Sequence, residues 1–526
     1  MIFTKIQKKQ MINIINTMFE GIELFQININ AEEDMDANLL IDLQDAAIQI
    51  GNIIEQSTDS KECLLYIEDY CEQVYILYNE LNAANYSVEY INNIIKKCII
   101  LLDLIKKNVE NADVKREVVF LPYKFSMWDS MESIWKAAYE DKNSNVNVIP
   151  IPYFDKDDKG NIKEWHYEGD KYPGNIPIVH YESYDLEYNE PDVIFIHYPY
   201  DNHNHITGIH PEHYCKRLRN ITSNLVYVPY FISLDDVPEH FCVCAATIYS
   251  HFVITQSIKV RDTYIRLFEE FEKENNCCGI FGNPKEKFLA LGSPKIDKAI
   301  DSVNEEYDIE EFNEYIYSED GKRKKIILLN TTLLYMLENK EVYIETLRKV
   351  FDYFITNKDV ALWWRPHPLS DALVDSMQVE LKEKYKELVD YYIENKIGIY
   401  DNGKDLNMAI TMCDACYGDN SSVLALLWAQ NKPIMLRNVK KFCSHNKKYY
   451  DFNTAFRDDR GGIKKTLLFE TRTYALSEYI KDILNDNKYD EITEKIRTIN
   501  KGTNKEVFLS VGCAGEIIYK NIIGIK

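Results

Sequence analysis

Two short stretches combine residue types suited to holding a phosphate. The first is Arg365-Pro366-His367-Pro368. An arginine grips phosphate oxygens bidentately, a histidine can hydrogen-bond or protonate one, and a proline on either side fixes the backbone of His367. The second is Gly418-Asp419-Asn420-Ser421-Ser422, a small polar turn between the apolar run 415–417 and a helical run over 423–430. The first N–H groups of a helix lack internal partners and carry the positive end of its dipole, so this turn suits an anion. Ser421 and Ser422 add hydroxyl donors. The same residue types are also ordinary helix caps, and the arginine stretch also fits a surface loop with a salt bridge.

A second chemistry, proton transfer, is available in a histidine-rich segment. His197, His203, His205, His210 and His213 are five of the 11 histidines, and Asp201 lies among them. The spacing matches no regular zinc ligand set, so a general base is the better functional reading and solvated loop histidines the plain one. His210 is favoured because Pro211 biases it towards an extended backbone just before a helical run, with Asp201 second. The turn Leu291-Gly292-Ser293-Pro294-Lys295-Ile296-Asp297 leaves another strand; alone it reads as a Gly/Pro turn.

The elements that must position these groups follow from periodicity. Residues 1–112 are helical in pattern, with apolar residues three and four apart and breaks near 58–61 and 82–85. Up to Glu110 there are 8 Lys and no Arg against 18 Asp and Glu, which opposes binding to an anionic membrane surface. Residues 113–317 alternate short apolar strands (118–122, 146–152, 193–197, 225–229, 252–255, 288–291) with helices, and 155–175 reads as a polar loop. Residues 318–475 repeat the pattern with strands at 326–329, 360–364, 397–400, 415–417 and 433–436, and with helices at 341–356, 373–394 and 406–413. Residues 476–526 return to helix, at 476–484 and 506–522. Alternating strands and helices predict an α/β fold: two doubly wound parallel-sheet domains with an N-terminal α-helical region and C-terminal helices. Each candidate stretch then leaves the carboxyl end of a strand, where open parallel sheets bind ligands.

Composition excludes some classes. A net charge of −23 opposes general nucleic-acid binding. No run approaches the apolar length of a membrane span and the first residues, MIFTKIQKKQ, lack a signal-peptide core, so a cytoplasmic chain is expected, with peripheral contact at the inner face of the cell membrane left open. The 12 cysteines are spread along the chain and read as reduced.

Taken in order, Gly292-Ser293-Pro294-Lys295-Ile296-Asp297, Asn330-Thr331-Thr332, Arg365-Pro366-His367-Pro368 and Gly418-Asp419-Asn420-Ser421-Ser422-Val423, followed by Lys432-Pro433-Ile434-Met435-Leu436, resemble the CDP-glycerol glycerophosphotransferase family, the teichoic-acid primases and polymerases, over residues 115–520. Where family members often have Thr-Trp-Arg, Asp-Tyr-Ser-Ser and Pro-Arg, this chain has Asn330-Thr331-Thr332, Asp419-Asn420-Ser421-Ser422 and Pro294-Lys295. The resemblance implies a GT-B architecture, a pair of Rossmann-like domains with the donor nucleotide held mainly by the C-terminal one. It implies that Arg365 and His367 contact the donor and that residues 419–422 with the following helix bind its pyrophosphate. Gly418, Ser293, Lys295, Asn330 and Thr331 fall on the matching motifs and join that set. A catalytic base in the N-terminal domain would be His210 or Asp201. The implied activity is metal-independent transfer of glycerophosphate, or a related alditol phosphate, from a CDP-linked donor to a glycan or polyol-phosphate hydroxyl in teichoic-acid-like polymer synthesis, with no cofactor. A GT-B glycosyltransferase using a nucleotide sugar, a catalytically idle nucleotide-binding or scaffold protein, and self-association through the N-terminal helices stay open.

Overall fold

The computed structural model describes residues 1–31, 38–57, 60–81, 87–157, 159–204, 207–233, 237–367, 370, 379–403, 405–437, 466–471, 474–502 and 508–524. His205 and Pro368 lie outside them. Two compact units emerge: residues 1–119, 139–148 and 179–193 form one, and residues 120–138, 149–178 and 194–526 the other.

In the first unit, helices α1 (Lys5–Ala31), α2 (Asn38–Glu55), α3 (Lys61–Leu81) and α4 (Val88–Asn111) bury one stripe each, on α1 Met11, Ile15, Met18, Ile22, Phe25 and Ile29. This three- and four-residue spacing lets four amphipathic helices share one core. Lys5 at the start of α1 donates to Asp192 (2.7 Å), whose other oxygen accepts the Glu117 N–H (2.8 Å). The Glu117 carboxylate is buried and takes donors from Tyr184, Asn145 and Asn147 at 2.6–2.8 Å.

Two six-stranded parallel sheets follow. The first has strands β1 (Arg116–Leu121), β2 (Ser144–Val148), β3 (Val193–Ile196), β4 (Asn224–Tyr227), β5 (Phe252–Thr255) and β6 (Phe288–Ala290), in the order β2-β1-β3-β4-β5-β6. The second has β7 (Lys325–Asn330), β8 (Val360–Arg365), β9 (Ile399–Tyr400), β10 (Ala415–Gly418), β11 (Ile434–Leu436) and β12 (Leu468–Phe469), in the order β9-β8-β7-β10-β11-β12. Winding therefore reverses between β1 and β3 in the first sheet and between β7 and β10 in the second; at such switch points a crevice opens at the carboxyl edge. The strands of the second sheet are near-continuous apolar runs because helices cover both faces. This is the α/β, GT-B-like pair of Rossmann-like sheets, with helices before and after, that the sequence predicts.

Three segments differ from expectation. Residues 155–175 do not form a plain loop: Tyr153–Lys156 and Ile162–His166 make an antiparallel hairpin, and Thr207–Ile209 adds a third strand. Its polar residues suit a hairpin exposed on one face, with Asp157 organising the turn by accepting the Asn161 N–H (2.8 Å). The helix expected at 341–356 is present, but a further helical stretch precedes it: the two run together as α5 (Leu333–Thr356), with Lys340 at φ 44° as a non-helical kink between them. Between the two expected terminal helices lies a further one, Asp486–Gly502, too polar to announce itself by an apolar stripe. The last helix, Ala514–Gly524, returns to the first half: Asp297 accepts the N–H groups of Ala514 (3.1 Å) and Gly515 (2.8 Å), and Gly292 (φ 109°) leaves no room for a side chain beside the Leu509 carbonyl.

Candidate functional site

The carboxyl ends of β8, β7, β10 and β11 finish level. Asn330 is in register with Arg365 on one side and Gly418 on the other, and Gly418 with Leu436. The residues that follow these four ends are therefore neighbours. Gly418 must be glycine: a Cβ there would lie 2.5 Å from the Asn330 carbonyl oxygen. That close approach lets the chain turn at the switch point, and the Asp419 N–H then donates to Asn330 O (2.9 Å). Asn330, itself buried, donates through Nδ2 to Ser421 Oγ (2.8 Å), fixing the hydroxyl from below. Ser421 and Asn420 are half-buried and Ser422 is exposed at the start of α6 (Val423–Ala429), whose backbone bonds begin with Leu424 and Ala425 donating to Ser421 O and Ser422 O.

Asp419 faces the opposite way. It is fully buried and accepts from Arg437 Nη2 (2.8 Å) and Nε (3.1 Å) on Oδ1, and from the Thr332 N–H (2.9 Å) and Tyr343 hydroxyl (3.1 Å) on Oδ2. The guanidinium of Arg437 stacks 4.6 Å from the Tyr343 ring centroid. Thr331 is likewise turned inward, accepting from Trp364 Nε1 (3.2 Å). Arg365 points behind the crevice: Nη1 meets Asp401 (2.5 Å), Nη2 donates to Gly403 O (2.8 Å), and both partners of the ion pair are buried. Asp401 also accepts from Trp363 Nε1 (2.9 Å) and the Gly403 N–H (2.8 Å). The His367 side chain is exposed past the end of β8. At this crevice the structure brings together Asn330, Gly418, Asn420, Ser421 and Ser422, and it sets Asp419, Thr331 and Arg365 beneath as its frame.

The other switch point carries the histidine segment. His197, directly after β3, is wholly buried; Tyr123 after β1 donates its N–H to Nε2 (3.1 Å), while Nδ1 meets Met127 O (3.2 Å) and Ser130 Oγ (3.1 Å). This pattern puts the ring proton on Nδ1, and burial pulls the pKa down to about 3. His197 is thus a neutral pin between the two strands. Asp201 is buried and accepts the Cys215 N–H on both oxygens (3.1 and 3.2 Å); burial raises its pKa. His213 is buried and lowered to about 4, first by burial and then by His210 and Arg217. His203 is exposed. His210 is half-buried, 5.7 Å ring to ring from Trp165, and its Nδ1 accepts the Glu212 N–H at 3.4 Å. Lys295, at the start of the helix Pro294–Asp301, pairs with Asp129, and Ser293 sits at the cap position without a capping bond. Neither is hydrogen-bonded to the residues named above at the second sheet's crevice. Among the described residues no group of three or more His, Cys, Asp or Glu is arranged to hold a metal ion.

Asp401, Arg437 and Tyr343 escaped the sequence reading, and Thr332 entered it only within the Asn330-Thr331-Thr332 motif. Arg437 had a usable signal, a charged residue directly after a buried strand; Asp401 had the Asp-Asn-Gly turn that follows β9. Tyr343 had none, since it sits in a helical stripe like any core aromatic.

No family model matches the chain, and no curated protein matches it. Solved structures show weak likeness. The Staphylococcus structure described as "S. aureus MnaA-UDP co-structure" is 13% identical, over 78% of this chain and 98% of that one, with a TM-score of 0.43. UDP-GlcNAc 2-epimerase from Methanocaldococcus jannaschii is 12% identical over 78% and 99%, with a TM-score of 0.44. The wall teichoic acid polymerase TagF is 14% identical over 84% and 98%, with a TM-score of 0.45. Likeness at this level decides neither activity nor ligand.

Proposed function

We propose that the chain is a transferase that binds a CDP-linked alditol at the second sheet's crevice and passes glycerophosphate, or a related alditol phosphate, to a hydroxyl acceptor in the making of a teichoic-acid-like polymer. One observation carries this reading: the turn with phosphate-binding residue types, 418–422, lies at the topological switch point of a sheet wound in the dinucleotide-binding order, with Asn330 holding Ser421 in place. The CDP part rests on the motif resemblance alone.

In this reaction the acceptor oxygen bonds to the β-phosphorus, the bond from that phosphorus to the bridging oxygen breaks, and CMP leaves with the electron pair. Residues Asn420, Ser421 and Ser422, with His367 at the rim, stabilise the charge gathering on the leaving phosphate. Arg365 and Asp419 act from behind: one holds Asp401, Gly403 and Asp405, the other the turn itself. The acceptor's proton goes to His210. With Nδ1 accepting from Glu212, the neutral ring carries its proton on Nε2, so taking a second proton there requires the other tautomer. The diphosphate is met by hydroxyl and N–H donors without metal. Among the described residues no helix is long and apolar enough to cross a membrane; action at the inner face of a membrane, and self-association through α1–α4, belong to the same proposal.

A nucleotide-binding protein without turnover is the second reading, favoured by Asp201 and Arg365 both being spent on internal partners. A thermal-shift series with CDP-glycerol, CDP-ribitol, UDP-sugars and CMP, followed by a turnover assay with whichever stabilises, separates the two. Stabilisation by UDP-sugars alone would replace the CDP reading with a nucleotide-sugar transferase.

A further inference from the structure

A carboxylate at the head of a phosphate-binding turn is an electrostatic contradiction. Asp419 is sealed from water two residues before Ser421. In the low dielectric of the interior, its charge would act strongly on a diphosphate arriving at the turn, and the sign is repulsive. Arg437 removes the contradiction. It follows β11 directly, its N–H donates to Gly418 O (2.8 Å), and its guanidinium closes on Asp419 from the side with 1% of its own surface exposed. Two of its nitrogens are spent on Asp419; the third, Nη1, is out of water and makes no hydrogen bond among the described residues. Such an unpaired donor costs free energy in a folded core and calls for an explanation.

We propose that Arg437 is a positioning residue that sets the charge of the floor under the diphosphate: it neutralises Asp419 and leaves an unspent N–H group as residual positive field at the switch point. This rests on the donor-site reading above. The Tyr343 ring beneath the guanidinium and the Tyr343 hydroxyl on Asp419 hold the pair in one geometry. The ligand class follows from the charge: a nucleoside diphosphate or free pyrophosphate feels the floor, and an uncharged nucleoside does not.

The test is calorimetric titration of CDP, pyrophosphate and cytidine into the full chain. The variants are Asp419→Asn, Arg437→Lys, Arg437→Met and the double Asp419→Asn/Arg437→Met. Affinity for CDP and pyrophosphate is expected to follow floor charge, by roughly tenfold or more per unit. Asp419→Asn should bind more tightly than the wild-type chain. Arg437→Lys and the double variant should bind within a few-fold of it, and Arg437→Met most weakly. Cytidine affinity should stay the same throughout. Should Arg437→Met fail to fold, the ordering of Asp419→Asn, wild type and the double variant carries the same test. Loss of CDP and cytidine binding together in Asp419→Asn would overturn the proposal and leave the pair a fold-holding bridge. A wild-type chain that binds neither CDP nor pyrophosphate would overturn the donor-site reading, and this inference with it. Binding of both, blind to every substitution, would overturn this inference alone.

Discussion

Asn330 Nδ2 stands 2.8 Å from Ser421 Oγ, so the residue ending the first strand of the second sheet holds the hydroxyl that opens the turn after the fourth. The bond crosses the point where strand order reverses, and it joins residues 91 positions apart in sequence. It converts a turn of suitable composition into one of defined shape.

Removing that support should be felt by the ligand more than by the fold. Asn330→Ala is expected to weaken CDP binding by roughly tenfold, the worth of one well-placed hydrogen bond to a charged group, while chemical denaturation shifts by only about 1 kcal/mol. Calorimetry alongside a denaturant midpoint checks this. An unchanged affinity with a large stability loss would make Asn330 a core residue only.

Arg365 should behave in the opposite way. Its charge is buried against Asp401, and truncating one member of a buried pair leaves the other uncompensated, typically at a cost of about 3–5 kcal/mol. Arg365→Met is expected to lower stability on that scale, and Arg365→Met with Asp401→Asn to recover most of it. A stable Arg365→Met that has lost only CDP affinity would return this arginine to the ligand.

His197 sets a pH dependence. Its folded pKa is lowered to about 3 against an ordinary value near 6.5, so between these values the unfolded chain binds the extra proton. Its contribution to stability is therefore whole above about pH 6.5 and is lost as pH falls towards 3, by up to about 5 kcal/mol. Urea titrations from pH 7 to pH 4 should show the loss, and His197→Gln should show a shallower slope from a lower starting stability. An equal slope in the variant would assign the acid sensitivity elsewhere.

The base assignment divides cleanly. Asp201 braces the Cys215 N–H, so Asp201→Asn should lower stability and leave turnover within a few-fold. His210→Ala should fold normally and lose about two to four orders of magnitude in kcat at saturating donor and acceptor. Turnover near wild type in His210→Ala removes it from the mechanism.

Metal independence has its own assay. Turnover should survive EDTA; a rate that vanishes on chelation and returns with magnesium would rewrite the leaving-group step.

Much of the frame was legible because strands buried on both faces are continuous apolar runs, and helices with one buried stripe repeat every three to four residues. The candidate crevice was legible for the same reason: Gly418 to Ser422 and Arg365 to His367 each follow such a run. What side chains do at a strand's end was not. Arg365, Asp419 and Thr331 point into the molecule because Asp401, Arg437 and Trp364 wait there, and these partners come from elsewhere in the chain. The hairpin at Tyr153–His166 was hidden because its exposed second strand, Ile162–His166, has loop-like composition.

The most direct test of the account is titration of CDP-glycerol into the full chain and into its Ser421→Ala/Ser422→Ala double variant, with the fold of both checked by thermal melting. The account predicts saturable binding by the wild-type chain and a loss of at least about tenfold in the variant, as two hydroxyl donors to a charged group are removed from an intact turn. Equal affinity in two equally folded chains, or no binding by the wild type, would contradict it.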